Sequence, residues 1–486
     1  MAALLGADVR GADGAPTDAE LDVVVTGLTV DSRQVGEDSL FLALPGEHVD
    51  GHAYVATALA HGAAAALTSR PVPGATGPCL VVEDPLLAAG RLARDQVDRA
   101  VAGGLQVVAI TGSAGKTSTK DLLAQVLEAA GPTVAPVGNL NNELGVPLTV
   151  CRIEPRTRFL VAEMGARGVG HVAYLCTIAP PRVSTVLNVG TAHVGEFGSK
   201  ELIAVAKGEI VEALPAGGTA VLTTDDPLVW AMRDRTGARV IATSVLAEPA
   251  APDAVWADAV DADALGRCAF TLHEKSGGVP TTPVRVQLAL SGRHQVANAV
   301  AAAALARALG VGTETIATAL AGARPRSRWR MELAERSDGV LVVNDAYNAN
   351  PESMRAALDT VAGVVADRPG ARGWAVLGDM LELGPGAAAE HRALGAYAAD
   401  RGLSRIVALG EFAPDVVAGA LSRSDAVRAE VAEDRDDAVR RVLTGLAAGD
   451  VILVKASRGL ALDTVAAALA AAQPTGPDNE QGEGSA

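Results

Sequence analysis

The chain has 486 residues, of which 49% are hydrophobic, 20% charged and 3% aromatic, the balance of a globular protein with two to four domains. Acidic residues outnumber basic ones by 57 to 41, for a net charge of −16, and with so few rings this argues against a broad nucleic-acid-binding surface. No apolar stretch is long enough to span a bilayer and no signal peptide is expected at the N-terminus; the scattered Cys79, Cys151, Cys176 and Cys268 form no Cys-x-x-Cys pair and read as buried thiols in a reducing compartment, the cytoplasm.

Along the chain, residues 22–26, 40–44 and 79–82 read as short strands, with an Ala-rich helical stretch over 54–66. A compact Val- and Ile-rich strand over 105–111 opens a second segment and is followed by a glycine turn and an amphipathic helix over 117–130. Further buried strands are expected at 159–163, 183–189 and 219–223, then at 340–344, 374–377, 405–409 and 451–455. Strands alternating with helices imply a mainly parallel sheet covered on both faces. The expected architecture is therefore α/β in three domains: a small mixed domain over 1–100, a central parallel-sheet domain over 101–323 and a Rossmann-like domain over 324–472. The last stretch, 473–486, is rich in Gly, Pro, Glu and Ser and is expected to be a disordered tail.

The strongest local signal is Thr111-Gly112-Ser113-Ala114-Gly115-Lys116-Thr117-Ser118, at the junction of a buried strand and a helix. Gly112 and Gly115 allow a tight turn that aims successive N–H groups at phosphate oxygens, and the helix N-terminus adds positive potential. Lys116 supplies a charge for the outer phosphates and the Thr117 hydroxyl a ligand for Mg²⁺. The usual phosphate loop has a further glycine where Ile110 stands, so this is a shorter variant.

That variant resembles the loop of the Mur ligases and the related folylpolyglutamate synthetases. Three more strings are similar to the branch of the Mur ligases that adds D-alanyl-D-alanine: Gly138-Asn139-Leu140-Asn141-Asn142 with Gly145 and Pro147 after it, Asp345-Ala346-Tyr347-Asn348-Ala349-Asn350-Pro351, and Leu377-Gly378-Asp379-Met380-Leu381-Glu382-Leu383-Gly384. The resemblance runs from about Thr26 to Leu460. It implies a ligase that uses ATP and Mg²⁺, two ions being expected, to join D-alanyl-D-alanine to UDP-N-acetylmuramoyl-tripeptide through an acyl phosphate. A monomer is expected, and from composition and hydropathy one that binds neither nucleic acid nor membrane.

Residue roles follow from the same resemblance. Glu163, at the end of an apolar run, matches the magnesium ligand of an A-E-M-G string. His193 and Lys207 match ligands of a second magnesium, the lysine as a carbamate; read from the residues alone, a lone His is structural and a lone Lys solvated. Asn298 stands where the family contacts adenine, with a helix-capping Asn as the alternative. Arg330 matches the arginine that reaches the phosphates from the third domain, with Arg328 a close competitor, and Asp345 faces the nucleotide. Ser32, Arg33 and Asp50 lie in strings resembling the UDP-sugar-binding segments, and Asn141 and Asn142 are candidates for substrate amides. The family's K-G-S-R string is here Lys455-Ala456-Ser457-Arg458. Two other readings stand beside this one: another amino-acid-adding Mur ligase or a folylpolyglutamate synthetase, and a P-loop ATPase switch.

Overall fold

The computed structural model describes residues 1–11, 15–46, 49–191 and 194–473. Three sheets follow one another along the chain. The first has parallel strands Gly27–Thr29, Ser39–Leu42, Ala65–Thr68 and Cys79–Val81, with Asp8–Arg10 antiparallel at one edge. Two expectations are corrected here. Residues 22–26 form no strand; pairing starts at Gly27, after the Val-rich run. The Ala-rich stretch 54–66 is helical only over Val55–Ala60, and its last alanines start the strand Ala65–Thr68. Burial between two neighbouring strands overrides alanine's helix preference there.

The second sheet is built on Gln106–Thr111. On one side it pairs in parallel with Phe159–Glu163 and then Thr133–Val134. On the other come Val183–Val186, Thr219–Thr223, Arg239–Ser244 and Ala254–Ala262, also parallel. The chain thus leaves Gln106–Thr111 on one side and returns on the other. This reversal opens a crevice at the carboxyl ends of the strands, where open α/β sheets bind ligands. Beyond the parallel part the sheet continues as an antiparallel excursion, Arg267–Ser276 with Val284–Ser291 and Val279–Pro280.

Alternation along Gln106–Thr111 feeds two cores. Val108 and Ile110 pack with the helices Lys116–Glu128 and His294–Ala308, while Val107 and Ala109 pack with Pro85–Ala102, His171–Ile178 and Lys200–Glu212. The helix Pro85–Ala102 serves two bodies: Ala88 and Ala89 join the first sheet's core, Ala93 and Val97 that of the second. The third sheet runs Glu332–Glu335, Leu341–Asn344, Val451–Lys455, Gly373–Gly378, Leu403–Leu409 and Arg428–Val431, parallel apart from the first strand. Its alternating residues fill two further cores, Leu341 and Val343 on one face against Val342 and Trp374 on the other. The α/β class with three successive sheets agrees with the sequence reading. The expected tail falls almost wholly outside the described residues. All four cysteines are buried free thiols, and no described helix is long and apolar enough to cross a membrane.

Candidate active site

At the carboxyl end of Gln106–Thr111 the chain turns through residues 112–115 into the helix Lys116–Glu128. Gly115 has φ +81°, and a Cβ on it would lie 2.5 Å from Asn298 Oδ1, so only glycine fits there. Not every N–H of the turn is free for a ligand. Ser113 N–H donates to the Asn188 carbonyl (3.1 Å) and Ala114 N–H to Asn188 Oδ1 (2.8 Å), while Asn188 Nδ2 donates back to Ala114 O (3.1 Å). Asn188 thus clamps the loop, and the open first-turn donors of the helix lie further on, over 116–118. The Lys116 ammonium folds back to donate to Gly112 O at 2.6 Å. Burial and the nearby Arg330 guanidinium push its pKa down, and Glu163 pulls it back up.

Glu163, 1% exposed, ends its strand beside the loop. Its Oε1 accepts from Asn141 Nδ2 (2.9 Å) and from the Thr117 hydroxyl (3.3 Å); its Oε2 is buried and has no partner among the described residues. A buried carboxylate oxygen left unpaired is costly, and a hard cation is the partner it suits best. Lys207, 3% exposed on the helix Lys200–Glu212, has no hydrogen bond or ion pair among the described residues. Burial, with the Lys116 charge adding to it, drives its pKa well below the ordinary lysine value and favours the neutral amine. His193 lies outside the described residues. Among those described, no three His, Cys, Asp or Glu side chains form a ready-made metal cluster.

The third body closes the cleft. Arg330 donates from Nη2 to the Thr117 hydroxyl at 3.0 Å, and its Nε is buried with no partner among the described residues. Its guanidinium lies over the Tyr347 ring (4.3 Å), Tyr347 stacks on Trp329 (6.4 Å), and the Arg458 guanidinium lies over the Trp329 ring, 4.1 Å from its centre. Trp329 and Met331, on either side of Arg330, have φ +59° and +51°, a strained backbone of the kind that concentrates at functional sites. Asp345 accepts from Met331 N–H (3.1 Å) and pairs with Lys455 (2.5 Å). His294 also lines the cleft. Burial lowers its pKa, and Lys455 lowers it further against the pull of Asp345.

A cavity of about 470 Å³ is bounded by these groups. It gathers Ser113 to Ser118, Asn141, Asn142, Glu163, Lys207, Asn298, Arg330 and Asp345 into one place. Asn298 uses its amide internally, accepting from Thr119 (3.3 Å) and donating to Gln295 (2.9 Å). Asn142 Oδ1 accepts from Gly145 N–H (2.8 Å). Ser32, Arg33 and Asp50 are not brought to this cavity. They follow the carboxyl ends of the first sheet's strands. There the Asp31 carboxylate is held at about 2 by its bonds to Arg33, and Asp50 is held down by Arg70 and by the N–H and ring of His52. Asn188, Gln295 and Glu352, all lining the cavity, were not singled out from the sequence; Asn188 and Glu352 act through contacts distant along the chain, for which the sequence carries no local signal, whereas Gln295 bonds Asn298 within its own helix.

Three family profiles match the chain: the Mur ligase family, catalytic domain, over residues 24–96; the Mur ligase middle domain, over 110–306; and the Mur ligase, glutamate ligase domain, over 329–458. The UDP-N-acetylmuramoyl-tripeptide–D-alanyl-D-alanine ligase of Mycobacterium tuberculosis is 44% identical across 95% of each chain. The chain belongs to the Mur ligase family. Among solved structures, MurF from Acinetobacter baumannii superposes with a TM-score of 0.83 at 31% identity, over 96% of this chain and 97% of that one. MurF ligase from Thermotoga maritima in complex with ADP does so with a TM-score of 0.77 at 27% identity, over 92% and 98%. The cleft lies between the segments matched by the last two profiles: Thr117 and Glu163 fall in the middle domain, Arg330 and Asp345 in the glutamate ligase domain.

Proposed function

We propose that this chain is an ATP-dependent ligase that joins D-alanyl-D-alanine to the tripeptide carboxylate of UDP-N-acetylmuramoyl-tripeptide, through an acyl phosphate, in cytoplasmic synthesis of peptidoglycan precursors. The curated relatives carry that activity in their names, and one similar structure holds ADP. The observation that carries the reading is the meeting of Lys116, Thr117, Glu163 and Arg330 at one point, from two bodies of the chain.

The chemistry requires an anionic carboxylate to attack the outermost phosphorus of an anionic nucleotide. Lys116 and Arg330 reduce that repulsion, and they do so more strongly in a cleft than in water. Arg330 suits the task through its permanent charge and its fork of donors. The unpaired Glu163 Oε2 and the Thr117 hydroxyl fit Mg²⁺, a hard ion that takes a few protein oxygens and completes its shell with phosphate and water. Bound there, the ion would supply charge neutralisation on the transferred phosphate. Lys207, buried, with its pKa driven well below the ordinary lysine value and no partner among the described residues, suits conversion to a carbamate and, with His193, is our candidate set for a second ion. Asn298 and Asp345 are assigned to the nucleotide, Asn141 and Asn142 to the peptide, and Ser32, Arg33 and Asp50 to the UDP-sugar. Docking of the third body keeps water from the acyl phosphate until the dipeptide amine displaces phosphate. The working form is a monomer.

Phosphate release from ATP, measured with each substrate omitted in turn, tests the reading. Full release is expected only with UDP-tripeptide and D-alanyl-D-alanine together. Full-rate release without the dipeptide would overturn it, and other amino acceptors serving equally well would favour a sister ligase.

A further inference from the structure

Glu352 is the second residue of the helix Pro351–Ala366, whose start is fixed by a capping box between Asn350 and Ser353. An acidic side chain there ordinarily stays near its own helix terminus. This one reaches into the middle domain: Glu352 Oε1 accepts from Thr191 N–H (2.8 Å) and from the Thr191 hydroxyl (3.0 Å). The contact is shaped to receive it. A Cβ on Gly190 would lie 2.7 Å from the Glu352 carboxyl carbon, so any side chain at 190 would displace the carboxylate. Close by in sequence, Gly195 backs onto Gly384 of the C-terminal domain, with no room for a Cβ on either (2.8 and 2.9 Å).

The residues that meet Glu352 are continuous with the phosphate loop. Gly190 N–H donates to the Ser113 hydroxyl at 2.9 Å, and Asn188 holds Ser113 and Ala114. Segment 188–191 is therefore bonded on one side to the loop that would hold the nucleotide and on the other to the C-terminal domain.

We propose that Glu352 is a positioning residue for the ligation reaction, the latch by which docking of the C-terminal domain sets segment 188–191 against the phosphate loop. The inference rests on the ligase reading above. The latch works by accepting hydrogen bonds from Thr191, so an amide serves nearly as well as a carboxylate. Loss of the two accepted hydrogen bonds sets the size of the effect.

The test compares Glu352→Ala, Glu352→Gln, Gly190→Ala and the double variant Gly190→Ala/Glu352→Ala in the full chain. Glu352→Ala is expected to lower kcat about tenfold or more and to leave the KM values for ATP and dipeptide within about twofold, while Glu352→Gln recovers most of the rate. Gly190→Ala reproduces the loss and adds little to it in the Glu352→Ala background, because both remove one contact. Small-angle scattering with ATP and UDP-tripeptide gives a readout independent of turnover: compact for parent and Glu352→Gln, expanded for Glu352→Ala. A Gln variant as slow as the Ala variant would overturn the latch and instead indicate a cation held by Glu352 Oε2, which has no partner among the described residues. Parent-like rate and compactness in Glu352→Ala, or losses that multiply in the double variant, would also overturn it. A parent that ligates no dipeptide would sink the ligase reading, and the scattering comparison would still judge the latch.

Discussion

Replacing Asn188 by alanine removes two hydrogen bonds, from Ala114 N–H to Oδ1 and from Nδ2 to Ala114 O. The bond from Ser113 N–H to the Asn188 carbonyl survives, because it uses backbone. At about 1 kcal/mol for each lost bond, plus up to about 1 kcal/mol for partly covered Ala114 groups left unpaired, the ordered loop loses roughly 2–3 kcal/mol. If the nucleotide must restore that order on binding, its Kd rises roughly 30- to 150-fold. Asn188→Asp keeps an acceptor for Ala114 N–H but turns a second oxygen on Ala114 O and sets a negative charge beside the phosphates, so it should bind at least as weakly. Titration calorimetry with Mg·ADP measures both, and thermal unfolding checks that the body of the protein is intact. Binding by Asn188→Ala within about twofold of the parent would refute the clamp.

Two further outcomes follow from burial. Lys207 has a folded-state pKa well below its unfolded value of 10.5, so between the two values the unfolded chain binds the extra proton and stability rises with pH. Below the folded value the penalty is constant; above 10.5 it is gone. Lys207→Met should remove this dependence, which amounts to about 1.4 kcal/mol per pH unit inside that window, and should abolish ligation; urea unfolding of both proteins at several pH values, without bicarbonate, checks the slope. Cys151 and Cys176, whose thiols burial pushes up to about 12, should resist iodoacetamide at pH 8 in the folded protein and react once it is unfolded in urea, as mass spectrometry would show.

What the sequence disclosed was local. Strand, glycine turn and helix around Lys116 lie within one short window, and Glu163 announces itself at the end of an apolar run. The central parallel strands of the second and third sheets were legible because strands buried on both faces form continuous apolar runs, while the parallel strands Thr133–Val134, Arg239–Ser244, Ala254–Ala262 and Arg428–Val431 were missed. The antiparallel excursion over 267–291 was not, because its residues alternate between core and solvent and lack such a run. Residues 54–66 misled for a different reason: alanine's helix preference points one way, and the burial between neighbouring strands that overrides it has no local signal. Within the cleft, the type of residue was readable but not its partner. Asn188 lies 74 residues from the loop it clamps, and Lys455 lies 110 residues from Asp345. Only the paired strands Leu341–Asn344 and Val451–Lys455 bring the last two together.

The column formed by Arg458, Trp329, Tyr347 and Arg330 bears on turnover. A long flexible side chain normally gives up rotamer freedom each time it engages a ligand. A guanidinium laid on an aromatic ring, itself backed by a second ring and a second guanidinium, has surrendered that freedom when the chain folded, and has none left to lose in each catalytic cycle.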